Sequence, residues 1–382
     1  MKTTYKFNLI IVPAWTLAVS MLIAAAPQQT TRRNFSPGPI PAESDSIRLP
    51  VGSMMIWQDR GTLTPSRVYF GQSPEGVDPL SRVPAPPFSQ FEPDDKDRMA
   101  TSPKAKVTDS RRVKWIAKFG EEARSDTIAP RLAWALGFGS VEGYYVPSGK
   151  IEGITASTNL GKSGSAIQRD GTFTHGARFK RHSPECEPLK DSRGHDMTWD
   201  EAHNPGVPPE QLSGLKIFEV LICNWDTQPK NCKVFRFKGA NGPANWYIVS
   251  DLGGSFGIPK HKFILAEYAK SPEVVRKVSA DEVELNFAGV IPLQARLHRS
   301  VPLAHAQWFR KQLVRLKDRE IQAAFDAGFA TDALNRAYAS GDEARIKEAR
   351  DKELSTDARS EIAGYVAAFR ARVNNFLQKV PE

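Results

Sequence analysis

The residues best placed to do chemistry lie in the second half of the chain. Asn224, Asp226, Lys230 and Asn231 sit inside NWDTQPKN, and Asp251 opens DLGGSFG. Asp226 and Asn231 share a segment that Pro229 keeps from being helical, so both can point at one spot. Asp251 follows a hairpin-sized excursion, and Gly253, Gly254 and Gly257 let the backbone turn sharply behind it. Two carboxylates and an amide are hard oxygen donors. Mg2+ prefers such a set, with water or phosphate completing its shell, and Mn2+ accepts the same oxygens. A further acid near the cation can orient a hydroxyl nucleophile and accept its proton. Asn231 and Asp251 are therefore the metal candidates and Asp226 the candidate base. Lys230, the second catalytic candidate, brings a charge that either touches a phosphate or repels a second metal. Taken alone, Asp226 reads as a turn cap. The register with Asn231 and Asp251 is what gives it a chemical reading.

A phosphoryl donor also needs positive charge on its phosphates. Lys118 ends VKWIAK, and strand alternation turns it away from Trp115 and Ala117. Such a lysine needs a carboxylate to fix it, and the segment that follows offers Glu121, Glu122 and Asp126.

These side chains require elements to hold them. KAKVT (Lys104 to Thr108) and RVKWIAK (Arg112 to Lys118) have strand composition, with Asp109-Ser110 as the turn. A helix runs from about Glu122 to Leu136, with Ile128, Leu132 and Leu136 on one face and Gly137 as its stop. VEGYYV (Val141 to Val146) is a further strand. Pro208-Pro209 opens a second helix, with Leu212, Leu215, Phe218 and Ile222 at helical spacing. NWDTQPKN follows, then two strands, CKVFRF and WYIVS, around GANGP. Upstream, MMIW and RVYF read as short strands between Val51 and Phe70. Gly161 to Trp199 reads as polar and irregular, and beyond Lys260 the chain reads as mostly helical. The stripes Phe309, Leu313, Leu316 and Ile362, Val366, Phe369, Val373, Phe376 face a core. The order is a strand-rich half with one helix, then a helical half, with the polar constellation at the joint.

Composition narrows the classes. The chain has 382 residues and a net charge of +9, which favours anionic partners in general. The charges are scattered, however, and the densest basic run, RFKRH (Arg178 to His182), reads as a solvated loop rather than a nucleic-acid groove. His175, His182, Cys186 and His195 match no tetrahedral zinc spacing. GKS at Gly161 to Ser163 lacks the leading glycine of a phosphate-cradling loop, because Ala156 stands there. Lys2 and Lys6 precede LIIVPAWTLAVSMLIAAA, the pattern of a secretory signal, cleaved after Ala25 or Ala26. The same run, residues 8–26, is also long enough to remain as a membrane anchor. In an exported protein Cys223 and Cys232 can pair and leave Cys186 free. The other reading is three buried thiols.

The pieces resemble the atypical kinase-like fold of the HipA-type serine/threonine kinases, which are related more distantly to phosphatidylinositol kinases, spore-coat kinases and secretory-pathway kinases. The family's catalytic loop reads N-x-D-x-H-x-K-N. Asn224, Asp226, Lys230 and Asn231 stand at the matching places, with Gln228 where the histidine would be. The family's metal-binding Asp after the next hairpin corresponds to Asp251. Its phosphate loop, A-G-x-Q-P-K, aligns with MATSPK, which places Ala100, Ser102, Pro103 and Lys104 there without the glycine. Its ATP-anchoring lysine falls on Lys118, and the helix acid, counted back from Gly137, falls on Asp126, one methylene shorter than the family's Glu. The resemblance covers about Met99 to Gly257. It implies that Lys118, Asp126, Lys104 and Ser102 bind the cofactor.

The resulting expectation is an α+β, two-lobed protein-kinase-like fold with a strand-rich N-lobe carrying one major helix and a helical C-lobe. Residues 1–26 are the signal or anchor, 27–98 a linker and irregular extension, 99–207 the N-lobe with a hinge insertion, and 208–382 the C-lobe. The expected function is an exported kinase-like phosphotransferase, periplasmic or extracellular. It would use Mg2+ or Mn2+ with ATP or another nucleotide, and its acceptor would be a hydroxyl on protein, lipid or sugar. No nucleic-acid partner is expected, and a membrane only if the first segment is retained. The alternatives are a catalytically inactive binding module of the cell envelope and a membrane-anchored structural protein.

Overall fold

In the computed structural model the described residues are 55–71, 77–92, 104–120, 122–154, 166–181, 186–190, 194, 197, 206–227, 231–239, 242–257, 264–287 and 299–382. All of them belong to the compact unit Asp45–Glu382. The first segment, with its signal or anchor, lies outside them, as do Ser102, Gln228, Pro229, Lys230 and Glu121. Among the described residues no helix is long and apolar enough to cross a membrane.

Strand alternation builds the larger sheet. Its strands are β1 (Phe88–Glu92), β2 (Lys104–Thr108), β3 (Lys114–Phe119), β4 (Gly143–Val146), β5 (Gly149–Glu152), β6 (Thr172–Phe173) and β7 (Ala177–Arg181), in the order β4-β7-β3-β2-β1-β5-β6. β1 and β5 run parallel, and β2, β3, β7 and β4 pair antiparallel in turn. Ala105, Val107, Trp115, Ala117 and Phe179 point into the core. Burying each of the larger ones is worth roughly 1.5–3 kcal/mol. The opposite face is polar. Register places Lys104 beside Lys118 and Lys118 beside Arg178, so three cations stand in one row across β2, β3 and β7. This corrects the reading of RFKRH as a solvated loop. Ala177–Arg181 is strand β7, flanked on both sides by neighbours, and Arg178 is buried.

Helix α2 (Glu122–Ala135) follows β3 directly. Pro130 has no N–H, so the helix cannot donate to the Asp126 carbonyl at its usual place. The helix ends in a Schellman motif. Gly137 is left-handed at φ 97°, its N–H donates to the Trp134 carbonyl, and the Phe138 N–H donates to the Ala133 carbonyl. Only glycine fits here, because a Cβ would lie 2.2 Å from Trp57 Nε1.

That tryptophan belongs to a strap that the sequence pattern did not reveal. Met55 and Trp57 form isolated bridges with Trp246 and Phe138, not a strand of their own. Residues 55–58 thread between the end of α2 and the hairpin that leads to Asp251. Met55 N–H donates to the Asn245 carbonyl, Tyr247 N–H to Met55 and Gly139 N–H to Ile56. RVYF, expected as a strand, is the end of helix α1 (Pro65–Phe70). Pro65 takes the first helical position and Thr64 caps it, accepting from the Arg67 N–H.

The remaining segments hold α3 (Pro209–Leu221), the hairpin β9 (Cys232–Gly239) and β10 (Gly242–Val249), and β8 (Cys186–Pro188) on its edge. β6, β7 and β8 therefore lie inside the stretch expected to be irregular. After α4 (Leu265–Ala269) comes a sheet of β11 (Val275–Val278), β12 (Glu282–Leu285) and β13 (Ser300–Pro302), which interrupts the expected helical run. Helices α5 (Leu303–Leu313), α6 (Asp318–Ala327), α7 (Asp332–Ser340), α8 (Glu343–Glu353) and α9 (Thr356–Lys379) complete the chain. The stripes of α5 and α9 are buried as their spacing requires, with Phe309, Leu313, Ile362, Phe369, Val373 and Phe376 in the core.

The architecture is thus mixed α/β with several sheets, broadly compatible with a two-lobed kinase-like fold. α2 is pinned to the helical half. The Arg124 guanidinium stacks 4.1 Å from the Phe329 ring and lies 3.2 Å from the Glu361 carboxylate. Tyr69 of α1 stacks on Tyr338 at 3.9 Å and donates its hydroxyl to Asn335 Oδ1 at 2.8 Å. Buried Arg131 ties α1, α2 and β4 together by donating to the carbonyls of Tyr69, Thr127 and Gly143.

Candidate active site

Strand β3 delivers Lys118 with its ammonium buried, and α2 delivers the acids. Lys118 Nζ lies 2.6 Å from Asp126 Oδ2 and 2.5 Å from Glu122 Oε2. Both acids therefore hold the lysine, where the resemblance assigned only Asp126. Glu122 and Asp126 are one helical turn apart, so one face of α2 carries both. Arg178 joins from β7, its Nη2 3.1 Å from Asp126 Oδ2. Burial pushes the Asp126 carboxyl up, but Lys118 and Arg178 outweigh it and hold it at about 2. Sequence reasoning missed Arg178. The available signal was strand parity, which puts Arg178 on the face of Lys118 once β7 is recognised.

Asp251 reaches the same cluster from the far side, its Oδ1 3.4 Å from Lys118 Nζ. Its side chain is 39 % exposed, against 3 % for Asp126. Asp251 also accepts from the Gly253 N–H at 3.2 Å, which folds the turn under its own carboxylate. Ser125 of α2 donates its hydroxyl to the Gly253 carbonyl at 2.7 Å, locking α2 to that turn. A Cβ on Gly253 would stand 2.9 Å from Glu122 Oε2 and 3.0 Å from Lys118 Nζ. A Cβ on Gly254 would stand 3.1 Å from Asn224 Oδ1 and 3.1 Å from the Asp226 Cβ. The Asp251–Gly254 turn is therefore wedged between the lysine cluster and the loop that bears Asp226.

That loop springs from the end of α3. The cap is again a Schellman motif: Cys223 N–H donates to Val220 and Asn224 N–H to Glu219. Here the left-handed position holds Cys223 at φ 53°, a conformation that costs an L-residue about 1 kcal/mol or more. Asn224 is fully buried, and its Oδ1 accepts from the Asp226 N–H at 3.2 Å. Asp226 itself is half-buried. Asn231 Nδ2 donates to the Asp226 carbonyl at 2.8 Å, which leaves the amide oxygen as the end able to ligate a cation. The Asn231 carbonyl accepts from both the Ser250 N–H and its hydroxyl, at 2.7 and 2.8 Å. Asn231 thus sits across the hairpin base from Ser250, the residue before Asp251. Cys223 and Cys232, at the two ends of the loop, are buried free thiols.

Glu122, Asp126 and Asp251 offer carboxylate oxygens within 4.8 Å of one another, close enough to share a divalent cation. The Lys118 ammonium stands among those oxygens, and Arg178 adds a second positive charge. A cation at their centre would compete with Lys118. Asp251, half-exposed and on the weakest of the three contacts, is the acid freest to turn toward a metal. The oxygen donors gathered with it, the carboxylates of Glu122 and Asp126, are hard ligands of the type Mg2+ takes. Lys104 lies beside Lys118 in the register, on the neighbouring strand. Ser102 and Lys230 lie outside the described residues.

The arrangement is a buried acidic and basic cluster consistent with a catalytic or nucleotide-binding site. No family model matches the chain, and no curated protein matches it. Among solved structures, the crystal structure of a Helicobacter pylori proinflammatory kinase, CtkA, is similar at 10 % identity with a TM-score of 0.37, over 72 % of this chain and 94 % of that one.

Proposed function

We propose that the protein is a kinase-like phosphotransferase that moves a phosphoryl group from a Mg-nucleotide to a hydroxyl acceptor. One observation carries this reading. The Asp251–Gly254 turn touches the Lys118–Asp126 pair on one side and the Asn224–Asp226 loop on the other. This neighbourhood of residues far apart in sequence supports reading Lys118 as the lysine for the donor phosphates, Asp251 as the metal acid and Asp226 as the base.

In this reading Lys118, held by Asp126 and Glu122, is oriented toward the α- and β-phosphates. Asp251 and the Asn231 amide oxygen would hold the cation, which would supply positive charge to the phosphates. Asp226 orients the acceptor hydroxyl and takes its proton as the oxygen bonds to the γ-phosphorus. The bridging P–O bond breaks and the nucleoside diphosphate leaves. The leader-like composition of residues 1–26 supports export.

A second reading, an inactive binding module, has its own support. The charges of Lys118, Arg178, Glu122 and Asp126 pair among themselves without any ligand.

The test is a thermal-shift panel with Mg2+ and ATP, followed by a transfer assay. Mg-ATP is expected to raise Tm in the wild type and not in Asp251→Ala, whereas Asp226→Ala keeps the shift and loses transfer. Equal Mg-ATP stabilisation of Asp251→Ala would end the phosphotransferase reading. A metal-dependent shift with no transfer in the wild type would select the inactive module.

A further inference from the structure

We propose that Arg372, in the C-terminal helix, is the positioning residue for the loop that carries Asp226. The inference rests on the site proposed above, and its geometry stands apart from it. A helix leaves its last carbonyls without partners, and those buried must find donors elsewhere. At the end of α3 each can be traced. The Glu219 carbonyl accepts from the Asn224 N–H and the Ile222 carbonyl from the Phe256 N–H, both loop backbone. The Val220 carbonyl accepts from the Cys223 N–H and from Arg372 Nη2 at 2.6 Å. Among the described residues the Leu221 carbonyl has no backbone donor. Arg372 Nε reaches it at 2.8 Å and the Tyr268 hydroxyl at 2.7 Å.

One guanidinium thus closes the cap that the backbone leaves half-made, and it does so with the charge that suits a helix C-terminus. Its remaining nitrogen donates to the Ser271 carbonyl, and its plane lies 5.3 Å from the Tyr268 ring. It is 2 % exposed, on an element about one hundred and fifty residues downstream of the cap. What it holds is the strained turn. Cys223 keeps a left-handed backbone without being glycine, and Asn224 and Asp226 follow within three residues of it. With the Val220 and Leu221 carbonyls released, the turn can relax to an ordinary conformation, and the direction in which Asp226 leaves the helix changes with it.

Cys223 lets the turn be read without any assay of transfer. It is buried inside the cap, and Cys232, fully buried at the start of β9, is an internal control. The full-length protein is treated with iodoacetamide, and labelling of each cysteine is followed by peptide mass. In Arg372→Gln, Cys223 is expected to label about tenfold faster while Cys232 is unchanged, the signature of local opening. Arg372→Lys, which keeps charge but cannot reach both carbonyls along the same plane, is expected to fall between. Losing the Arg372 charge pushes the thiol further up, which slows labelling, so any acceleration reports exposure and not reactivity. Tyr268→Phe, a mild change that removes only the second donor to Leu221, is expected to accelerate Cys223 by a smaller factor and decides the matter if Arg372→Gln fails to fold. Where transfer is measurable, kcat falls with the nucleotide KM unchanged. Equal acceleration of both cysteines in Tyr268→Phe and Arg372→Lys, or of neither, overturns the proposal. A protein without transfer activity but with selective Cys223 opening retains it and loses only the catalytic reading of the site.

Discussion

Lys118 and Asp251 meet at 3.4 Å across 133 residues of sequence, the longest of the three contacts the lysine makes to acids among the described residues and the one to a half-exposed carboxylate. The two shorter contacts are to buried carboxylates. Lys118→Met would leave Glu122 and Asp126 with one fewer cation in a dry setting. Removing one partner of a buried pair costs about 3–5 kcal/mol. Urea denaturation should show that loss, and Lys118→Met combined with Asp126→Asn should recover part of it. A single-variant loss below about 1 kcal/mol would mean that the cluster is solvated.

Gly253 tests how tightly the turn is wedged. A methyl group there meets Glu122 and Lys118 at about 3 Å. Gly253→Ala is expected to cost about 1–3 kcal/mol by overpacking and to remove the Mg-ATP thermal shift. Denaturation and thermal shift on one variant separate the two effects.

Asp126 sets an acid limit. Its folded value, about 2, lies below its ordinary value of 3.8. Because the folded state disfavours the proton, the contribution is fully present above pH 3.8 and fades as pH falls through about 2. It amounts to roughly 2 kcal/mol. Melting curves between pH 5 and 2 should show this loss in the wild type. In Asp126→Asn the dependence should be shallower and the starting stability lower.

Tyr69 tests the extension that precedes the sheet. Tyr69→Phe keeps the ring stacked on Tyr338 and deletes the hydroxyl bond to Asn335. About 1 kcal/mol is expected from chemical denaturation. A chain begun at residue 72 loses α1 and the strap as well. It is expected to show no cooperative melting transition by circular dichroism.

Much of what positions the site can be read from local pattern. β2, β3, α2 and the β9–β10 hairpin follow from alternation, from helical spacing and from glycine at Gly137. The parts that escape reading depend on distant partners or on a local cap. RVYF has the aromatic and branched composition of a strand, yet Thr64 and Pro65 start a helix there. Arg178 looks like one charge in a basic run until Asp126, 52 residues away, is known to face it. Counting back from Gly137 selects Asp126 alone, yet one helix face brings Glu122 and Asp126 to Lys118 together. The strap at residues 55–58 has too few residues to show any period.

The strap also orders events in time. Met55 and Ile56 find their backbone partners at Asn245, Tyr247 and Gly139. Two of these partners, Asn245 and Tyr247, lie about 190 residues downstream. Closing a loop of that span is slow compared with forming local helices. The edge near Gly137 therefore stays uncovered until the strap docks late in folding, and that uncovered edge is where misassembly would begin.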